Sequence, residues 1–141
     1  MNRLGYKSRR ELVGVHPDMI IVTVTAIINL PKGLDATVFD GLRTLPEQRE
    51  NLRRGVSKTL KSKHLPQADG YGHAVDIVPI INGQLAWDSK DAATQKLIDE
   101  AFADISDQMH AAADLHDIEI ESGYALWGWD KPHFQLGGTY R

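Results

Sequence analysis

Between Gly72 and Ile81 the chain reads GHAVDIVPII, an apolar and largely β-branched run with one carboxylate, Asp76, set inside it. Such a run fits a strand with at least one face buried. A carboxylate on a half-buried strand costs several kcal/mol unless a cation or a set of donors compensates it. Alternation of faces along a strand puts Asp76 with Ala74 and Val78, and puts His73 and Val75 on the opposite side. Whatever balances Asp76 must therefore arrive from another segment. The candidates are His64, which lies beyond the polar loop LPQADGY, and His133, embedded in WDKPHFQL.

The flanking sequence defines the remaining elements. Asn82-Gly83 is a type I′ hairpin signal leading from this strand into Gln84–Trp87. A helix follows, with Leu97, Ile98, Ala101, Phe102, Ile105, Met109, Ala112 and Ala113 forming one apolar stripe. Ser89 or Asp88 is the expected cap, and fraying is expected near His116. Thr44-Leu45-Pro46-Glu47 is a capping-box pattern that opens a helix ending at Gly55. Ala36–Leu42 reads as a strand, and Ile118–Glu121 and Pro132–Leu136 as short strands around the turn SGYALWGWDK. Met19–Leu30 suits a helix started by Pro17 and Asp18 and stopped by Pro31, although its β-branched content also fits a strand. These elements imply an α+β fold, with a small, mostly antiparallel sheet and helices packed on one side.

A chain of 141 residues is expected to form a single domain, residues 1–141, able to bury one core. The absence of cysteine excludes disulfides, thiolate metal sites and a cysteine nucleophile, so any metal must be held by His, Asp and Glu. A net charge of −3 leaves no basic footprint for nucleic acid. The longest apolar run, Ile20–Leu30, is too short to span a bilayer. Its approach is broken by Glu11 and Asp18, and no small-residue cleavage site follows, so a core element is expected rather than an export signal. Two imidazoles and one carboxylate form a plausible zinc set with a fourth position for water. In a chain with 6 histidines, spacing alone favours a structural hydrogen-bond network of the same residues over a metal site.

The stretches GLRTLPEQ, SKH followed by GHAVDIVP, and WDKPHFQL resemble the signature blocks of the M15 family of zinc peptidases. That family includes D-Ala-D-Ala peptidases and phage L-alanyl-D-glutamate endopeptidases. Its pattern of Ser-x-His, then Gly-x-Ala-x-Asp, then a carboxylate three residues before a histidine is matched by Ser62 and His64, by Gly72, Ala74 and Asp76, and by Asp130 and His133. The opening LVGVHPDMI resembles the phage branch, so the likeness covers nearly the whole chain. The gap between His64 and Asp76 is longer than is usual in the family. LPQADGY reads as an insertion, which makes His73 an alternative to His64; strand alternation and the adjacent Ser62 favour His64.

The resemblance implies a hedgehog/DD-peptidase-like fold and Zn2+ held by His64, Asp76 and His133. It implies Asp130 as the general base, where a surface Asp capping a turn is the alternative. It implies Arg43 as an oxyanion donor, where an ion pair with Glu47 or Glu50 is the alternative. Ser62 is implied to contact substrate or order its loop, and Gln48 to support the site from behind. Trp127 and Trp129 are expected either to wall the cleft or to pack in the core, and His16, His110 and His116 to take no part. The implied activity is hydrolysis of the L-Ala-D-Glu bond of peptidoglycan stem peptides by a monomeric phage endolysin. Such a protein is made in the host cytoplasm and reaches the wall after the inner membrane is breached. A D-Ala-D-Ala carboxypeptidase or dipeptidase, and a non-catalytic wall-binding or metal-storing module, are the alternatives.

Overall fold

The computed structural model describes residues 3–55 and 61–140. Helices α1 (Tyr6–Glu11) and α2 (Pro17–Ile28) precede strand β1 (Asp35–Asp40) and helix α3 (Leu45–Arg53). Strands β2 (Ala74–Ile81) and β3 (Gln84–Leu85) lead into the long helix α4 (Ala92–Leu115). Strand β4 (Ile120–Ser122), helix α5 (Gly123–Trp127), strand β5 (His133–Leu136) and a 3-10 turn (Gly138–Tyr140) complete the chain. The sheet order is β1-β2-β5-β4, with β3 appended to β2, and every strand pair is antiparallel. The expected α+β class is the one observed.

The ambiguous segment after Pro17 is a helix. Met19, Val22, Thr23, Ala26 and Ile27 are all buried, and their spacing forms one stripe of an α-helix. Pro17 occupies the first turn, and the cap is His16, whose Nδ1 accepts the Asp18 N–H at 3.0 Å. The α2 stripe and Ile105, Met109, Ala112 and Ala113 of α4 share one core with Val38, Val75, Ile77, Phe134 and Leu136 of the sheet. The residues that alternate with these sheet positions, Asp76, His133 and Gln135 among them, are thereby turned to the opposite face.

Asn82 (φ 52°) and Gly83 (φ 76°) make the predicted I′ turn. Thr44 caps α3, accepting the Glu47 N–H at 3.2 Å, while the Glu47 carboxylate accepts the Thr44 hydroxyl rather than its backbone N–H.

Three expectations need correction. The cap of α4 is Asp91, which accepts the Thr94 N–H at 2.9 Å, while Ser89 instead accepts the N–H of Asp91. Leu97 is 56% exposed and does not belong to the apolar stripe. At this end of α4 only Ile98 and Phe102 meet a satellite cluster with Ala86 and Ile81, and Leu97 lies off that line. The turn SGYALWGWDK contains the helix α5, capped by Ser122, whose Oγ accepts the Ala125 N–H at 3.1 Å.

Helix α1, which carries no apolar stripe, was also not foreseen. Its buried Ser8 accepts the Val38 N–H at 2.9 Å and hydrogen-bonds Thr37 at 3.1 Å. A side chain thus occupies a backbone donor on the outer edge of β1, where an unpaired row would invite another strand. Ser8→Ala should leave the Val38 N–H buried without an acceptor and lower stability by about 1–3 kcal/mol in urea denaturation. An unchanged midpoint would show that the edge is held by other contacts.

Candidate metal centre

Asp76 sits in the middle of the sheet, paired with Asp40 of β1 on one side and with His133 of β5 on the other. A row of carboxylate, carboxylate and imidazole across three strands concentrates negative charge, and like charges on paired strands repel. One arginine and two imidazoles surround it. Arg43 hydrogen-bonds Asp40 through both Nε and Nη2, and the same Nη2 lies 3.8 Å from Asp76 Oδ2. On the other carboxylate oxygen, Oδ1, His64 Nε2 and His133 Nδ1 converge at 3.2 and 3.3 Å. One donor atom each from His64, Asp76 and His133 lies within 4.8 Å of the other two, and this is the one group among the described residues arranged to hold a metal ion.

The donor chemistry fits a metal because the outer hydrogen bonds fix both tautomers. His64 Nδ1 lies 2.8 Å from the Gly41 carbonyl, which can only accept, so the nitrogen left for a metal, once its proton is displaced, is Nε2, facing Asp76. His133 Nε2 lies 2.9 Å from Gln135 Oε1, leaving Nδ1 as the inward nitrogen that a metal would take in place of its proton. Neither orienting partner was foreseen. Gln135 was legible, since it stands two residues from His133 on the same strand and so on the same face. Gly41 was not, because its role rests on a close approach. A Cβ at Gly41 would lie 1.9 Å from the Glu11 carbonyl oxygen, so only glycine lets α1 seat against the backbone that holds His64.

The loop carrying His64 is clipped by its backbone. Arg43 N–H donates to the His64 carbonyl, and His73 N–H donates to the Lys63 carbonyl, both at 2.8 Å. Ser62 Oγ accepts the His64 N–H at 3.1 Å, which orders this loop. The His73 ring turns away from the centre, with its Nε2 2.8 Å from Asp69 Oδ2 and its ring edge-on to His16 and Tyr140. His73 therefore fastens the inserted loop. His116 is tied to Thr25 at 2.9 Å, and His110 lies against Phe134, both away from the centre.

Arg43 does not pair with Glu47 or Glu50, the surface alternative. Besides Asp40 it donates through Nη1 to the fully buried Gln48 at 2.6 Å, which holds the guanidinium beside Asp76. Asp40 is the further residue that sequence reasoning missed. The Trp127 ring stands 5.2 Å from the His133 ring, and both Trp127 and Trp129 are exposed rather than packed in the core.

Electrostatics distinguish the two carboxylates. Burial would raise the pKa of Asp76, but the His64 and His133 imidazoles outweigh it and hold the group far below the usual carboxylate range. Asp130 moves the other way. Burial and then the charge of Asp76 raise it, against smaller opposing effects of His133, His64 and Arg43. For His133, burial lowers the pKa, yet the hydrogen bond and charge of Asp76 hold it above the ordinary imidazole value.

Two oriented imidazoles and a carboxylate, with a second carboxylate and an arginine alongside, make the donor set of a hydrolytic metal site. Over residues 1–133 the chain matches the family described as phage L-alanyl-D-glutamate peptidase, and it belongs to that family of peptidases. It is 30% identical over 145 residues to the L-alanyl-D-glutamate peptidase of Escherichia phage T5, an alignment that covers 95% of this chain and 97% of the relative. The crystal structure of the Serratia marcescens L-Ala D-Glu endopeptidase ChiX superposes with a TM-score of 0.75 at 33% identity. That match spans 96% of this chain and 90% of the other.

Removing one imidazole should separate the two histidines of the loop region. His64→Ala should abolish metal binding, whereas His73→Ala should keep metal stoichiometry and lose thermal stability; the reverse pattern would mean that the loop rearranges to offer His73. Metal affinity should also fall on acidification, because the bound form needs both imidazoles neutral and His133 holds its proton above the ordinary range. Each displaced proton should cost about tenfold in apparent affinity per pH unit, measured by chelator competition between about pH 8 and about pH 5.5. A pH-independent affinity would exclude His133 as a ligand.

Proposed function

We propose that the chain is a single zinc peptidase domain that hydrolyses the L-alanyl-D-glutamate bond of peptidoglycan stem peptides. The observation that carries this reading is the convergence of His64 and His133 on Asp76, with both ring tautomers fixed from outside, in a member of the phage L-alanyl-D-glutamate peptidase family. His64 Nε2, Asp76 and His133 Nδ1 would hold zinc. When bound, it supplies Lewis acidity, polarising the scissile carbonyl and making a water at the centre acidic enough to attack near neutral pH.

The remaining work falls to side chains of this chain. Asp130, three residues before His133, takes the proton of the attacking water on its carboxylate and returns it to the leaving amine. Its raised pKa suits both halves of that exchange, since it holds a proton more firmly than an exposed Asp. Arg43 keeps N–H groups beyond those spent on Asp40 and Gln48, and these donate to the carbonyl oxygen as negative charge develops there. Ser62, whose Oγ accepts the His64 N–H, would keep its hydroxyl proton to donate to the peptide.

In this reading the protein acts as a monomer on the stem peptide, with no nucleic-acid partner and no stable membrane insertion. Among the described residues no helix is long and apolar enough to cross a membrane. By analogy with the phage relative, the protein is made in the host cytoplasm and meets the wall once the inner membrane is breached.

Digestion of purified peptidoglycan should release new N-terminal D-glutamate, identified by mass spectrometry, and a chelator should stop it. New termini at D-Ala instead would assign a carboxypeptidase, and none at all a binding module. Asp130→Asn preserves shape but cannot accept the proton, so it should keep zinc and thermal stability while turnover falls by about 10²-fold or more. Near wild-type cleavage by that variant would remove Asp130 from the mechanism. Arg43→Ala should lower turnover by about 10²–10³-fold, with Arg43→Lys restoring only part of it, because an ammonium lacks the guanidinium fork.

A further inference from the structure

Helix α5 and the turn after it place Tyr124, Leu126, Trp127 and Trp129 on the surface together, with Trp127 49% and Trp129 65% exposed. Half-exposed indoles leave apolar area unburied, and contiguous apolar patches on small proteins mark binding surfaces. This patch is joined to the metal centre. The Trp127 ring is 5.2 Å from the His133 ring, and Trp129 directly precedes Asp130. The helix is fixed in place at Gly123, where a Cβ would lie 2.5 Å from the Asp130 carbonyl oxygen and 2.9 Å from His133 Cβ. The two indole ring centroids are 6.4 Å apart and their planes are tilted by 34°, so the rings form two separate faces rather than one closed stack.

We infer that Trp127 and Trp129 form a sugar-binding platform that receives the N-acetylmuramyl residue of the glycan strand, next to the scissile bond; this rests on the peptidase reading above. The chemistry of the substrate selects the occupant. L-Alanine is joined to muramic acid through a lactyl group, so the sugar ring begins about two residue lengths, about 7 Å, upstream of the bond to be cut. An aromatic surface touching a metal-ligating histidine is within that reach. The peptide downstream of the cut carries the free carboxylates of D-glutamate and the residue after it, whereas the muramyl end is uncharged. The platform matches the uncharged end, because its neighbouring cation, Lys131, is engaged by Asp99 at 3.1 Å. The apolar C–H face of a pyranose lies flat on an indole, leaving the ring hydroxyls in water.

The test compares two soluble substrates of zinc-loaded protein: L-Ala-D-Glu-diaminopimelate, and the same tripeptide carrying N-acetylmuramic acid. The wild type should prefer the muramyl substrate in kcat/KM by roughly three- to tenfold, the range of one aromatic contact. Trp129→Ala should erase that preference through KM, and Trp129→Phe should restore part of it. In parallel, N-acetylmuramyl-L-alanine should quench the tryptophan fluorescence of the wild type and bind more weakly to Trp129→Ala. A preference unchanged in Trp129→Ala, or equal binding of the muramyl fragment by both proteins, overturns the platform while leaving the peptidase reading intact. Hydrolysis of neither substrate by the wild type overturns the peptidase reading and this inference with it.

Discussion

The charge of Asp76 is the constraint around which the sheet is arranged. It lies on the central strand, faces away from the α2 and α4 layer, and has a second carboxylate, Asp40, across the β1 pairing. An isolated pair of this kind would repel, and burial would protonate one member. Here Arg43 spans the two carboxylates on one side and two imidazoles face Asp76 on the other, so Asp76 stays ionised. Each compensating group is in turn held by something rigid: Arg43 by the buried Gln48, His64 by the Gly41 carbonyl and His133 by Gln135. Breaking any of these outer contacts would act on the centre without removing any of its three donor atoms.

The opposite displacements of Asp76 and Asp130 follow from the same arrangement. The two acids share a neighbourhood, yet Asp76 meets the imidazoles at hydrogen-bonding distance, while for Asp130 burial and the charge of Asp76 dominate. Two carboxylates whose proton affinities are pushed apart can divide the roles of ligand and base. In the proposed mechanism that division would come from position alone, since both side chains are aspartate.

The sequence was most informative where a local pattern had a local cause. The Asn82-Gly83 turn, the Thr44 cap, the α4 stripe from Ile98 onward and the polar residues in the β2 and β5 runs were all legible for that reason. Alternation along β2 correctly separated His73 from Asp76, and the structure places the His73 ring against Asp69 and Tyr140. What escaped depends on contacts between distant segments. Helix α1 has no apolar stripe because its buried residue is a serine that caps a strand edge 30 positions away. Asp40 looked like the end of a strand until pairing set it opposite Asp76. The helix α5 is a single short turn of chain, too brief for any periodicity to register.

The strand order has a consequence for how such a chain emerges from a ribosome. β5 is synthesised after the other four described strands, yet it lies inside the sheet between β2 and β4, and β4 has β5 as its strand neighbour. The earlier strands must wait with an open gap, and the helical layer of α2 and α4 has an incomplete sheet to cover until that gap is filled. His133 is the first residue of the strand that fills it. The centre and the finished core therefore come into being in the same late event, and a chain stalled before that point carries neither.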